Sequence, residues 1–198
     1  MSPNIVLPRI LGALFYYSPE RPEVKALFDC LPTLSELYPW RDPAGTASLC
    51  ADWPFPDNDE LAWQFSVLFE GQGEMPVPPW GSVWLERDNL LMGNTTAEYR
   101  AFLQSQGMTF NSGQNEPEDQ FGLMLLACSA ILDAGKDAAV NQLLEVYLLP
   151  WGYRYLERLQ GNRVSPFYAR LAAVTSRYLQ DLQQQRALQP AVKRLYFG

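Results

Sequence analysis

The chain has 198 residues, which is enough for one domain that buries its own hydrophobic core. Its 22 Asp and Glu residues outnumber its 15 Lys and Arg residues, and the net charge of −7 disfavours nucleic acids and anionic membranes as partners. A cationic peptide is a more suitable partner for such a surface, and the alternative is that the negative charge only keeps the protein soluble. There is no histidine and there are only three cysteines, without a C-x-x-C pair, so Ser–His and Cys–His nucleophile pairs are excluded and a zinc site has little support.

Hydrophobic residues recur at helical spacing near the start of the chain. Leu7, Leu11 and Leu14 predict an opening helix that ends before residues 18–19, a Ser-Pro pair. A second helix is predicted from Pro22 to about Leu31. Residues 32–56 contain five prolines and are predicted to be irregular, with about one helical turn.

Two patterns typical of capping boxes predict the next helix starts. Asp57-x-x-Glu60 predicts a helix that ends near Gly71, and Thr95-x-x-Glu98 predicts one that ends near Gly107. The proline-rich residues 75–84 between them are predicted to be irregular, and residues 111–115 are predicted to form a polar loop.

Helices are predicted for most of the second half of the chain. A central helix is predicted from residues 116–117 to Gly135, with Gly122 allowing a close approach of a neighbour, followed by helical segments at 138–149 and 150–160. Residues 165–166, a Ser-Pro pair, predict the start of a long last helix. No strand-like alternation of convincing length is present, so the fold class is predicted as all-α: a single domain, residues 1–198, built as a bundle of about eight helices.

The densest polar cluster lies at residues 115–120. If Glu116 and Asp119 lie in the first turn of a helix, they share a face and can accept bidentate hydrogen bonds from an arginine. The alternative is structural, because acidic residues in a first turn also complement the helix dipole. An enzyme that uses these carboxylates is disfavoured, since the chain has three lysines and no Gly-rich phosphate loop, but it remains a minor alternative.

A second cluster combines prolines with two tryptophans at residues 76–84. Trp80 and Trp84 can either fill the core or line a groove in which an indole ring stacks on a guanidinium group. Leu68 and Phe69 precede this cluster and offer the floor of such a groove, with core burial as the alternative. Spacing alone favours the core for all four side chains.

Localisation is predicted as cytoplasmic. Residues 1–14 lack the pattern of a secretory signal, and the longest apolar run, residues 121–132, is too short for the roughly 20 residues that cross a bilayer. Unpaired cysteines are typical of a reducing compartment. Stable membrane insertion is therefore not expected.

Six segments together resemble the TorD/DmsD family of redox-enzyme maturation chaperones, and most closely its DmsD branch. These segments are residues 9–17 (RILGALFYY), 68–71 (LFEG), 78–85 (PPWGSVWL), 115–119 (NEPED), 149–151 (LPW) and 166–168 (PFY). The similarity keeps its order along nearly the whole chain and extends to residues 191–193 (AVK). The tryptophan-containing segment at residues 78–85 and the acidic segment at residues 115–119 are more specific signals than the leucine-rich helices.

The resemblance implies an all-helical cytoplasmic chaperone that is not an enzyme and needs no cofactor or metal. Such a chaperone binds the twin-arginine leader of a molybdoenzyme reductase, typically a dimethyl sulfoxide reductase-like catalytic subunit, and holds it during cofactor insertion and proofreading before export. The export machinery is a second candidate partner. Carried over by position, the leader site comprises Leu68, Phe69, Pro79, Trp80, Trp84, Glu116, Pro117, Asp119 and Gln120. Gln120 replaces the histidine of the family motif, and its amide group can donate and accept hydrogen bonds but offers no protonatable ring.

Three alternatives stay open at this point. A relative in the family could grip the mature body of its reductase instead of the leader. The second is the small-molecule enzyme built on the carboxylates. The chaperone could also act as a monomer or as a domain-swapped dimer, with residues 32–56 and 107–115 as hinges.

Overall fold

A computed structural model describes residues 3–109 and 116–198, and all regular secondary structure in these residues is helical. The prediction of an all-α fold is therefore confirmed, whereas the predicted loop at 111–115 lies outside the described residues. In chain order the elements are α1 (Pro3–Tyr16), α2 (Pro22–Phe28), a 3-10 helix (Leu31–Glu36), α3 (Pro43–Ala51), α4 (Asn58–Phe69), α5 (Gly81–Leu85), α6 (Asn94–Ser105), α7 (Phe121–Asp133), α8 (Asp137–Gln142), a π-helical segment (Leu143–Leu148), α9 (Leu149–Gln160) and α10 (Pro166–Gln185). Within the described ranges, no helix is both long and apolar enough to span a membrane.

The centre of the bundle is the pair α1 and α7, which cross with their backbones in contact. A Cβ atom on Gly122 would lie 2.7 Å from the carbonyl oxygen of Gly12, and a Cβ atom on Gly12 would lie 2.8 Å from the carbonyl oxygen of Gly122. Both residues must therefore lack a side chain. The predicted close approach at Gly122 is confirmed, and α1 is its neighbour.

The prediction of an irregular stretch at residues 32–56 is wrong in its extent. The 3-10 helix occupies its first part, and α3 begins at Pro43, where Asp42 caps the helix by accepting a hydrogen bond from the backbone N–H of Gly45 at 2.9 Å. Proline is tolerated in a first helical turn, because the N–H group that it lacks would have no intrahelical partner there. These prolines begin helices rather than prevent them.

Helix capping is confirmed at two predicted starts and wrong at a third. Asp57 accepts a hydrogen bond from the N–H of Glu60 at 2.8 Å, and Ser165 accepts one from the N–H of Tyr168 at 3.2 Å. Helix α6 instead begins at Asn94, because the N–H and the hydroxyl group of Thr95 both donate to the Glu86 carboxylate, each at 2.7 Å. The side chain of Glu86, which precedes the helix, therefore caps it in place of Thr95.

The last described residues, 187–198, lie outside the helices, and we name them the covering segment. Its backbone is fixed to the bundle by hydrogen bonds from Ala191 N to Glu145 O and from Tyr196 N to Trp84 O, both 2.8 Å. The ring of Phe197 packs edge-on against Trp84, with the ring centroids 4.9 Å apart. This segment therefore lies over the region that contains the predicted site.

Candidate functional site

The proline–tryptophan segment and the acidic segment are joined by a short antiparallel backbone pairing. Trp80 and Gln120 form an isolated β-bridge, in which Gly81 N donates to Asp119 O at 3.1 Å and Phe121 N donates to Pro79 O at 2.8 Å. Because the two segments are almost forty positions apart, only the tertiary fold brings them together. The two predicted clusters are thus parts of one region.

The acidic residues do not lie in the first turn of α7, as the sequence analysis predicted. The helix begins at Phe121 and Gln120 is its N-cap, so Glu116 and Asp119 lie in the segment before it. The argument from helical spacing is therefore wrong. Their proximity comes from the backbone pairing with the tryptophan segment, a contact that spacing in the sequence does not show.

Gln120 uses both ends of its side-chain amide within the protein. Its oxygen accepts from the N–H of Leu123 at 2.9 Å, and its nitrogen donates to the carbonyl oxygen of Phe15 at 3.1 Å. The side chain is 2% exposed. Gln120 thus links α7 to α1, and an amide performs this task without any proton transfer.

Asp119 is almost fully buried, with 3% of its surface exposed. Its Oδ2 atom accepts hydrogen bonds from Ser82 N at 2.6 Å and from Thr96 Oγ1 at 3.0 Å, so it supports the start of α5. Its Oδ1 atom has no hydrogen-bond partner among the described residues. Burial raises the pKa of Asp119, and the hydrogen bonds from Ser82 and Thr96 oppose this shift.

Glu116 is the more accessible of the two carboxylates. It is half-buried, and its Oε1 atom accepts a hydrogen bond from Trp80 Nε1 at 2.6 Å. Burial raises the pKa of Glu116; the negative charges of Asp119 and Glu70 raise it further, against the opposing effect of the Trp80 hydrogen bond. Burial and the charge of Glu20 likewise raise the pKa of Glu70. The carboxylate that accepts from the indole N–H is therefore also exposed to the negative charges of Asp119 and Glu70.

The remaining predicted site residues are largely covered in this structure. Leu68 and Trp84 have no exposed surface, Phe69 is 5% exposed and Trp80 is 9% exposed; Pro79 and Pro117 are buried. The indole N–H of Trp84 donates to the carbonyl oxygen of Pro78 at 2.8 Å, and its ring stacks on Trp151. These side chains contribute to the core in this conformation, and their contact with a ligand stays a prediction.

A narrow crevice opens beside Asp119. The residues that line it include Gly81, Thr95, Glu98, Tyr99, Asp119 and Lys193, and its free volume of about 10 Å³ leaves room for one water molecule at most. The hydroxyl group of Tyr99, like Oδ1 of Asp119, has no partner among the described residues. Neither Tyr99 nor Lys193 was predicted as a site residue, because neither belongs to a local motif with the carboxylates.

Two further features bear on what the region can do. A larger open groove of about 440 Å³ lies along α10, but none of the predicted site residues lines it. Over the described part of the chain, no cluster of three or more Cys, Asp or Glu side chains is arranged to hold a metal ion. The arrangement of paired carboxylates, indole N–H and apolar rings is suited to binding a cationic, partly apolar group.

The chain is similar to known chaperones. The family model described as nitrate reductase delta subunit matches residues 41–157. The Tat proofreading chaperone DmsD of Salmonella typhi is 36% identical over 192 residues, which cover 96% of this chain and 94% of that protein. The probable Tat proofreading chaperone DmsD of Haemophilus influenzae is 31% identical, with 95% and 94% coverage, and chaperone protein YcdY of Escherichia coli is 29% identical, with 86% and 88% coverage.

A solved structure supports the same fold. A candidate redox enzyme maturation protein from Archaeoglobus fulgidus superposes with a TM-score of 0.55, covering 89% of this chain and 93% of that one. Its sequence is 17% identical, so this likeness concerns the fold alone.

Proposed function

Because this chain belongs to the TorD/DmsD-like family of redox-enzyme maturation chaperones, we propose that it binds the twin-arginine leader of a molybdoenzyme reductase in the cytoplasm. The relatives are named chaperones, and the chain is accordingly a chaperone and not an enzyme. The proposed client is a dimethyl sulfoxide reductase-like catalytic subunit, whose leader is held during cofactor insertion and before export.

The observation that carries this proposal is the charge around Glu116. Its carboxylate is held at the indole N–H of Trp80 by a hydrogen bond of 2.6 Å, and its pKa is raised by burial and by neighbouring negative charges. A guanidinium group would relieve this repulsion and supply charge-assisted hydrogen bonds. In the proposed complex one leader arginine binds Glu116 and the other binds Asp119.

The apolar part of the leader is proposed to contact the tryptophan segment. Trp80 retains a small exposed fraction beside Glu116, and Trp84 lies four residues further along α5, under Phe197. Aromatic rings contact both guanidinium groups and aliphatic side chains favourably. Each hydrogen bond to a charged group contributes about 1.5–3 kcal/mol to binding, and ordering the flexible peptide opposes part of this gain. The balance is consistent with a dissociation constant of about 1 μM.

The test is calorimetric titration with a synthetic peptide that carries two consecutive arginines followed by an apolar stretch. Glu116→Gln should weaken binding by about tenfold, because it removes a charge that meets a guanidinium group. Glu118→Gln is the matched control: Glu118 is also acidic and lies on the same segment, but it is engaged by Arg100 through hydrogen bonds of 2.6 and 2.8 Å.

Two outcomes would contradict the proposal. One is the absence of saturable binding to the unmodified chain. The other is equal affinity for the peptide and for a version in which glutamine replaces both arginines, since the carboxylates would then recognise nothing specific to the leader.

A second candidate function is binding to the mature part of the reductase, that is, the polypeptide without its leader. It is favoured by an exposed apolar loop after α5, in which Leu90, Leu91 and Met92 are 64%, 47% and 49% exposed. Such a loop suits contact with a folded partner. Co-purification with a reductase that lacks its leader would support this function, whereas co-purification only with the leader present would support the first.

A further inference from the structure

The covering segment has the same order of chemical groups as a twin-arginine leader. Two basic residues, Lys193 and Arg194, are followed by three apolar ones, Leu195, Tyr196 and Phe197. The leader of the proposed function likewise carries two cations followed by an apolar stretch. The chain therefore contains an internal segment that matches its own proposed ligand in charge pattern and polarity.

The position of this segment matches that of the proposed ligand as well. Lys193 and Asp119 both line the crevice, and the buried Oδ1 atom of Asp119 has no partner among the described residues. Three to four residues later, Tyr196 N donates to Trp84 O at 2.8 Å and the Phe197 ring packs on Trp84. Lys193 thus shares the crevice with the acidic residue, its Nζ atom 5.9 Å from the centroid of the Tyr147 ring, and an aromatic ring lies on the tryptophan, in the order that the proposed leader would need.

The contacts that fix the covering segment are of a kind that a peptide can replace. Its described backbone bonds to the bundle include Gln189 N to Glu145 Oε1 at 2.6 Å, in addition to those of Ala191 and Tyr196. Much of its surface faces solvent: Val192 is fully exposed and Tyr196 is 40% exposed. A segment with few buried contacts opens at a lower free energy than the helices beneath it.

We propose that residues 189–198 act as an internal substitute for the leader, which occupies the site in the free chaperone and is displaced when a twin-arginine leader binds. Displacement opens the Asp119 crevice to a guanidinium group and uncovers Trp84. This inference rests on the proposed function and describes how binding is regulated. The observed affinity for a leader equals the intrinsic affinity multiplied by the fraction of molecules in which the segment is open.

The first experiment measures amide hydrogen exchange of the full chain with and without the synthetic twin-arginine peptide. The amides of Ala191 and Tyr196 should exchange at least about threefold faster when the peptide is bound, because their bonds to Glu145 and Trp84 are lost. Amides in α10 serve as an internal reference and should not accelerate.

The second experiment alters the segment without removing it. Lys193→Ala should tighten binding of the same peptide at least about threefold, since it weakens the closed state. Val192→Ala is the local control, because this exposed side chain leaves the segment's contacts unchanged. Lys25→Ala on α2 is the charge control, because it makes the same change in net charge.

The outcomes separate this inference from the proposed function. If the peptide binds but Ala191 and Tyr196 keep their protection and Lys193→Ala has the affinity of its controls, the displacement is disproved while leader binding stands. If the peptide binds none of these proteins, the proposed function fails and the inference fails with it. Faster exchange together with tighter binding by Lys193→Ala supports both.

Discussion

The two carboxylate oxygens of Asp119 have different environments. Oδ2 accepts hydrogen bonds from the N–H of Ser82 and the hydroxyl group of Thr96, whereas Oδ1 is buried without a partner among the described residues. One side chain thus supports the start of α5 and, in the proposed complex, would also supply a charge to the leader. Replacing it by alanine would remove both roles at once, so such a variant cannot report on binding alone.

Asparagine at this position separates the two roles. Asp119→Asn keeps an oxygen for Ser82 and Thr96 but loses the charge, so its free energy of unfolding should stay within about 1 kcal/mol of the parent, whereas Asp119→Ala should lose roughly 1–3 kcal/mol. Peptide affinity should fall in both variants. Thermal unfolding and calorimetric titration measure the two effects, and an asparagine variant as unstable as the alanine variant would refute the division of roles.

The raised pKa values of Glu116 and Asp119 predict how binding depends on pH. Both groups take up protons at a higher pH than ordinary exposed carboxylates, so affinity for the twin-arginine peptide should fall as the pH is lowered from about 7 towards 5. Stability should respond in the opposite sense. A raised folded-state pKa means that these groups stabilise the fold most when protonated, and that this contribution is lost as the pH rises through the folded pKa.

Titrations over this pH range test the prediction. Glu116→Gln serves as the control, because it removes one of the titrating groups and should flatten the pH dependence. An affinity that is constant over the range would exclude both carboxylates from the interaction.

At the scale of elements, the crossing of α1 and α7 determines where the site lies. The backbones touch at Gly12 and Gly122, and Gln120, immediately before α7, bonds the carbonyl oxygen of Phe15 on α1. The acidic segment is therefore anchored to the most closely packed helix pair. Any change that separates these helices should also move Glu116 and Asp119.

Gly122→Ala tests this dependence. The added methyl group would lie 2.7 Å from a backbone oxygen, which cannot rotate away, so the variant should lose about 1–3 kcal/mol of stability. Gly161→Ala is the matched control, since its methyl group would lie at an ordinary 3.6 Å from Arg158 O. Denaturant unfolding of both variants makes the comparison, and an unchanged midpoint for Gly122→Ala would show that the helices can separate without cost.

For the whole molecule, the net charge of −7 favours association with a cationic peptide. The charge of Glu20 raises the pKa of Glu70 and the charge of Glu70 raises the pKa of Glu116, so part of the negative charge lies beside the site. The proposed complex brings opposite charges together in a region that is only partly buried. Added salt therefore screens the attraction.

Binding of the twin-arginine peptide should accordingly weaken several-fold when the ionic strength is raised from about 0.05 M to about 0.3 M, where the Debye length is shorter. Titrations at both salt concentrations measure this change. The peptide with glutamine in place of both arginines should show a smaller salt dependence. Equal dependence for both peptides would indicate that the arginines do not meet the acidic groups.

The amino-acid sequence by itself determined the fold class and many helix boundaries. Hydrophobic spacing and local caps such as Asp57 and Ser165 act within a few residues, so they can be recognised in the amino-acid sequence. The resemblance to a chaperone family supplied the site residues, because spacing alone favoured structural roles: the core for Leu68, Phe69, Trp80 and Trp84, and a first helical turn for Glu116 and Asp119.

Only the tertiary structure decided how these residues meet. The bond from Ser82 to Asp119 joins positions 37 residues apart, and Lys193 reaches the same crevice from the far end of the described chain. Contacts of this kind depend on how helices pack, because no local propensity specifies which distant segments become neighbours. For the same reason the helical-face argument for Glu116 and Asp119 failed, although the two carboxylates do lie beside the tryptophan segment.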